Sequence, residues 1–122
     1  MIQAATSSRF PYLQMYVQLG SLNAPSFAFD TESLVDTGFD GGLAVGTNVI
    51  PHSISPDGRS TWHLADGTPI TAHMYVCYVT IGHLQPVPTI LITLDGDALL
   101  GRDVTDQFRV TFDHGRQIIV EA

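Results

Sequence analysis

Short apolar runs, each cut off by glycine, proline or an Asp-Gly pair, are the feature of this chain that most limits its fold. None carries a 3.6-residue stripe over helical length, and period two is the commoner pattern. Residues 12–19 alternate imperfectly and stop at Gly20-Ser21, which reads as a strand and a turn. Residues 27–30 and 32–35 are β-forming stretches, and residues 41–46 are a short apolar run between glycines. Residues 51–60 carry Pro, Asp-Gly and several Ser, and read as a loop. Residues 61–64 and 70–81 flank Asp66-Gly67, a pair whose glycine accepts the positive φ of a hairpin turn. Residues 74–81, aromatic and β-branched, are expected to be the longest strand; residues 87–94 follow as another, with its prolines near the start. Only residues 103–108 look helical, with Asp103 as N-cap. The chain closes with residues 109–112, a turn at Asp113-His114-Gly115, and residues 117–120. This succession predicts an all-β barrel or sandwich.

No repeat or linker divides the chain, and 122 residues suit one domain, 1–122, with residues 1–9 expected to be disordered. Hydrophobic residues make up 44% and charged residues 14%, which excludes disorder for the whole. The bases are all arginine, and the net charge of −7 argues against nucleic acid as a partner. No apolar run approaches the ~18 residues of a membrane span, so no membrane partner is expected. Met1-Ile2-Gln3-Ala4-Ala5-Thr6 has no charged n-region or apolar h-region, so no secretory signal is expected. A lone cysteine, Cys77, excludes an internal disulfide and fits a buried small hydrophobe better than a nucleophile. The expectation is a soluble, acidic, cytoplasmic protein.

The chemistry concentrates in Leu34-Val35-Asp36-Thr37-Gly38-Phe39-Asp40-Gly41. An acid directly after a buried strand is costly to desolvate unless something satisfies or uses it. Gly38 permits a sharp turn and close approach of a ligand to the backbone. An Asp-Thr-Gly triplet arises by chance in roughly 2% of chains this long, so alone it could be a mere turn. More than half the chain later stands Ala98-Leu99-Leu100-Gly101-Arg102-Asp103, directly before the helical turn. Other chemistries find little support. His52, His63, His73, His83 and His114 show no helical i, i+4 zinc spacing, there is no Gly-x-Ser-x-Gly elbow, and Asp95 and Asp97 sit in no EF-hand pattern. Trp62 is expected to pack the barrel or flank the hairpin.

Asp36-Thr37-Gly38, a hairpin around Asp66-Gly67, and then Leu99-Leu100-Gly101 before a short helix together resemble the retropepsin-like (retroviral-type) aspartic proteases. The likeness covers residues 12–120 and is nearest to the small single-domain members found in bacteria. It implies a closed all-β barrel with one short helix near the C-terminus, working as a homodimer on a peptide or protein substrate, and no metal or organic cofactor. By the same resemblance Asp36 matches the catalytic aspartate, Thr37 the hydroxyl that bonds across the dimer axis, and Gly38 the glycine along the substrate. Asp40 and Arg102 match an acid and an arginine that pair near the site and brace the dimer. Ala65, Asp66, Gly67 and Thr68, with Pro69, match the flap that closes over an extended peptide. Phe39 departs from the pattern, standing where the best-known members carry a small Ala or Ser.

Peptide hydrolysis by this route needs two carboxylates close together, sharing one proton. A chain with one Asp-Thr-Gly must take the second from another copy, which places Asp36 opposite its twin on a two-fold axis. The resulting expectation is an aspartic endopeptidase. A rival from another class is a catalytically silent dimeric barrel that binds a peptide or partner protein, and a third is a protease that only processes its own precursor.

Overall fold

The computed structural model describes residues 4–7 and 9–122 and is built almost wholly of strands. Strand β2 (Tyr12–Leu19) pairs antiparallel with β3 (Phe27–Val35) along its full length. Its alternation sends Leu13, Met15, Val17 and Leu19 into the core, while Gln14 and Tyr16 stay exposed. Next come β4 (Leu43–Val45), β5 (Gly58–His63), β6 (Pro69–Thr80), β7 (Val87–Thr93) and β8 (Leu99–Leu100). The sheet runs β2-β3-β8-β4-β7-β6-β5, and β2 also pairs with β6, so its hydrogen bonding passes round in a ring. Outside the ring, β5 extends β6 as a hairpin arm.

A second sheet of three strands runs β1-β10-β9, from β1 (Ala4–Thr6), β9 (Arg109–Asp113) and β10 (Gln117–Glu121). Residues 1–9 were expected to be disordered, yet Ala4–Thr6 within them pair with β10; residues 1–3 and 8 lie outside the described residues. The turn between β9 and β10 places His114 at φ 53° and Gly115 at φ 67°, as the Asp-His-Gly signal foretold. Among the described residues no helix is long and apolar enough to cross a membrane.

The sequence boundaries shift in three places. β5 begins at Gly58, inside the stretch read as loop, because the backbone there pairs with Met74. The two stretches of residues 27–35 form one unbroken strand. The helix, α1 (Arg102–Thr105), starts one residue early, with Gly101 and not Asp103 as its N-cap. Asp103 is occupied elsewhere: its carboxylate accepts a hydrogen bond from the hydroxyl of Thr89 on β7, satisfying a polar group that is only 6% exposed.

Two apolar clusters divide the interior. The larger gathers the inward side of β2 with Tyr75, Cys77 and Val79 of β6, Leu91 of β7 and Ile118 and Val120 of β10. The smaller joins Ala44, Ala72 and Ile92, and is packed by Phe39, Trp62, Met74, Ile90 and Leu99. β6 therefore buries both faces at different points: even-numbered residues toward the small cluster near its start, odd-numbered ones toward the large core further on. Cys77 is fully buried, and burial pushes its thiol up from 9.0 to about 12. A thiol-alkylating reagent at about pH 8 should leave it unmodified in the native protein and label it once urea unfolds the chain. The sign of the linkage is also fixed. The stabilising effect of keeping this proton is complete below pH 9.0 and is lost as pH rises toward about 12, because the unfolded thiol ionises first.

Candidate active site

Asp36 follows β3 directly, and its position is set by hydrogen bonds from a segment far away in sequence. β3 runs parallel to β8, aligning Leu34 with Leu99 and Val35 with Leu100. The N–H of Leu34 donates to Ala98 O (2.8 Å) and that of Asp36 to Leu100 O (3.0 Å). Beyond the turn the donors come from the other side. Gly101 N–H donates to Gly42 O (2.8 Å), Arg102 N–H to Phe39 O (2.8 Å) and Asp103 N–H to Gly41 O (3.1 Å). Residues 34–42 and 98–103 are thus stapled along their length, and the half-buried Asp36 sits at the centre of the seam.

The turn at Asp36 is self-supporting. Its carbonyl accepts from Phe39 N–H at 3.2 Å, and its side-chain Oδ1 accepts from Gly38 N–H at 2.9 Å. Thr37 and Gly38 are exposed beside it. Gly101 is held at φ −100°, open to any residue, so crowding alone demands glycine there: a Cβ would lie 2.1 Å from Gly41 O and 2.7 Å from the Phe39 ring.

The β5–β6 hairpin carries Ala65, Asp66, Gly67 and Thr68 at its exposed tip. Gly67 adopts φ 87° with open space around it, and Leu64 N–H donates to Thr68 O at 2.9 Å. Asp66 Oδ1 accepts from Thr68 N–H at 2.9 Å, and the hydroxyl and N–H of Thr68 hold the Asp66 carboxyl below its ordinary range. That contribution is present above the ordinary carboxylate pKa and is lost only as pH falls through the lowered one, so the tip keeps its bonds in weak acid.

The site residues are not all joined as expected. Asp40 and Arg102, both exposed, form no ion pair within this chain; among the described residues Arg9 pairs with Glu32, and His114 Nδ1 is hydrogen-bonded to Asp113. Arg102 is bound to the loop through its backbone, and it lines a hollow of about 220 Å³ with Thr37, Thr105, Asp106 and Phe112. Trp62, expected to pack the barrel or flank the hairpin, stands on β5 of the hairpin and lies against Phe39 with ring centroids 5.4 Å apart, and so ties the hairpin to the loop after Asp36.

No protein-family model matches the sequence, and no curated protein does. A solved structure does match, over 99% of this chain and 92% of the other: the crystal structure of a retropepsin-like aspartic protease from Rickettsia conorii. The TM-score is 0.65 and the sequence identity 15%. The fold is retropepsin-like. Within this retropepsin-like fold, Asp36-Thr37-Gly38 and Leu99-Leu100-Gly101 meet at one seam, and the β5–β6 hairpin is linked to that seam by Phe39 and Trp62.

Proposed function

We propose that this protein is an aspartic endopeptidase whose catalytic pair is Asp36 and the Asp36 of a second copy. The observation that carries the reading is the seam itself: a carboxylate at the end of a strand, fixed by backbone bonds to Leu99-Leu100-Gly101 in a retropepsin-like fold. One carboxylate would polarise the peptide carbonyl and its twin would deprotonate the attacking water, the shared proton passing between them. Support for a second copy comes from the face beside Asp36. There Thr37 and Phe112, the latter 45% exposed, line a hollow that a symmetric partner would cover. In this reading Thr37 bonds across the axis, Gly38 lies along the substrate, and Ala65, Asp66, Gly67 and Thr68 close over it as a flap. Arg102 then belongs to the hollow that the partner covers.

The reading is tested by incubating concentrated protein with a mixture of unfolded peptides from about pH 3 to about pH 8 and identifying new termini by mass spectrometry. Cleavage should follow a bell-shaped profile with an acidic optimum, since a pair sharing one proton is disabled by gaining a second or losing the last. Specific activity should also fall once dilution passes below the dimer's dissociation constant. A flat profile between about pH 4 and about pH 8 would count against the pair.

A further inference from the structure

We propose that the cavity between residues 46–57 and the odd-numbered face of β6 binds a small organic acid, one carboxylate on an apolar body. The inference is independent of the endopeptidase reading, because the cavity shares no lining residue with the seam at Asp36 or the hollow beside Thr37. At about 410 Å³ it falls within the roughly 300–1,000 Å³ of sites that enclose a whole small molecule. Its outer wall is held in place by backbone bonds. Two turns brace residues 46–57, with Val49 N–H donating to Gly46 O (3.1 Å) and Ile54 N–H to Pro51 O (3.0 Å). Asp57 N–H then joins the segment to β6 by donating to Met74 O at 2.9 Å.

Burial sorts the lining by chemistry. Buried Ile50 and Tyr75 and half-buried Ile54 supply an apolar interior. Exposed Asn48, His52, Thr71 and His73 supply N–H and O–H groups nearer to water. Among the described residues, the one hydrogen bond made by a lining side chain is that of Thr47, whose hydroxyl donates to Asp95 Oδ1 at 3.3 Å. The other donors are open to a ligand. The chain has twelve acids, yet none lines this cavity, so a cation would find no counter-charge in it. A carboxylate offers about four lone pairs to such donors, in charge-assisted bonds roughly twice as strong as neutral ones. Arg59 favours the same sign. It stands directly opposite His73 in the β5–β6 register, so both side chains leave the sheet on one face, and it forms no ion pair with a described residue.

The ring C–H signals of His52 and His73 report occupancy by NMR, with His63 on the hairpin arm as a control outside the cavity. Full-length protein would be titrated at constant pH with benzoate, benzamide, acetate and benzylammonium. Benzoate should shift the His52 and His73 signals saturably and leave that of His63 in place. Benzamide, which lacks the charge, and acetate, which lacks the ring, should bind at least about tenfold more weakly, and benzylammonium should give no saturable shift. His73→Gln, or Thr71→Val should the first not fold, should weaken benzoate about tenfold. Arg59→Gln should weaken benzoate and leave benzamide unchanged, a split that lost packing would not produce. Equal affinity for benzoate and benzamide, a His63 shift that tracks the other two, or no saturable shift with benzoate would overturn the assignment. Failure to cleave any peptide would remove the endopeptidase and leave this result standing.

Discussion

Asp36→Asn should lower peptide cleavage by at least about a thousandfold while leaving the fold intact. Asn keeps the size of Asp, and its Oδ1 can still accept the Gly38 N–H, so the turn retains the bond at 2.9 Å that shapes it. What disappears is the group able to take a proton from water. Urea unfolding should therefore place the variant within about 1 kcal/mol of the parent, a surface-like effect at a half-buried position. A second arm separates a shared site from a solitary one. Adding excess Asp36→Asn chains to the parent protein should depress its activity, because mixed dimers carry a single carboxylate. Undiminished activity in the mixture would point to a site complete within one chain. Full activity of the variant alone would remove Asp36 from the chemistry and leave the silent binding barrel as the better account.

Gly101→Ala should destabilise the protein by about 3 kcal/mol, the upper end of what one added methyl does in a packed interior. The backbone conformation at Gly101 suits alanine, so the effect comes from crowding, foremost the 2.1 Å approach to Gly41 O, a backbone atom with no rotamer to yield, and then the 2.7 Å approach to the Phe39 ring. Relief requires the two stapled segments to part, which would break the Gly101–Gly42 and Arg102–Phe39 bonds and release the turn bearing Asp36. Gly67→Ala makes the contrast. It faces open space at φ 87°, so only backbone strain of about 1–2 kcal/mol applies, and the seam is untouched. Parallel urea titrations decide the matter. Equal losses at the two positions would show that crowding at the seam is not what demands glycine.

How far the sequence spoke for the structure depends on whether a signal is local. Residues 12–19 declare β2 because one face is buried and the other wet, which writes the period directly into the side chains. Asp66-Gly67 declares its turn because positive φ is a property of the single residue Gly67. β8 escaped notice since Leu99–Leu100 is too short to show any period, and β1 is three residues long. Asp103 misled because a cap and a side-chain acceptor for Thr89 use the same carboxylate, and Thr89 lies on another strand. The Phe39–Trp62 contact is likewise a product of the fold, joining a loop to a hairpin strand. Asp36 stood out as an acid directly after an apolar strand, yet the bonds that fix it come from Leu100 and its neighbours.

The seam between residues 34–42 and 98–103 also has a temporal meaning. During synthesis the loop bearing Asp36 emerges before its partners Leu100, Gly101 and Arg102, which follow more than sixty residues later. Pairings of such long sequence separation form late and close together the elements between them. A nascent chain that has not yet reached Gly101 has no fixed geometry at Asp36, and a fragment truncated before Ala98 should never acquire it. In the proposed reading of Asp36 as the catalytic acid, cleavage would therefore wait until residues 98–103 have been made and docked.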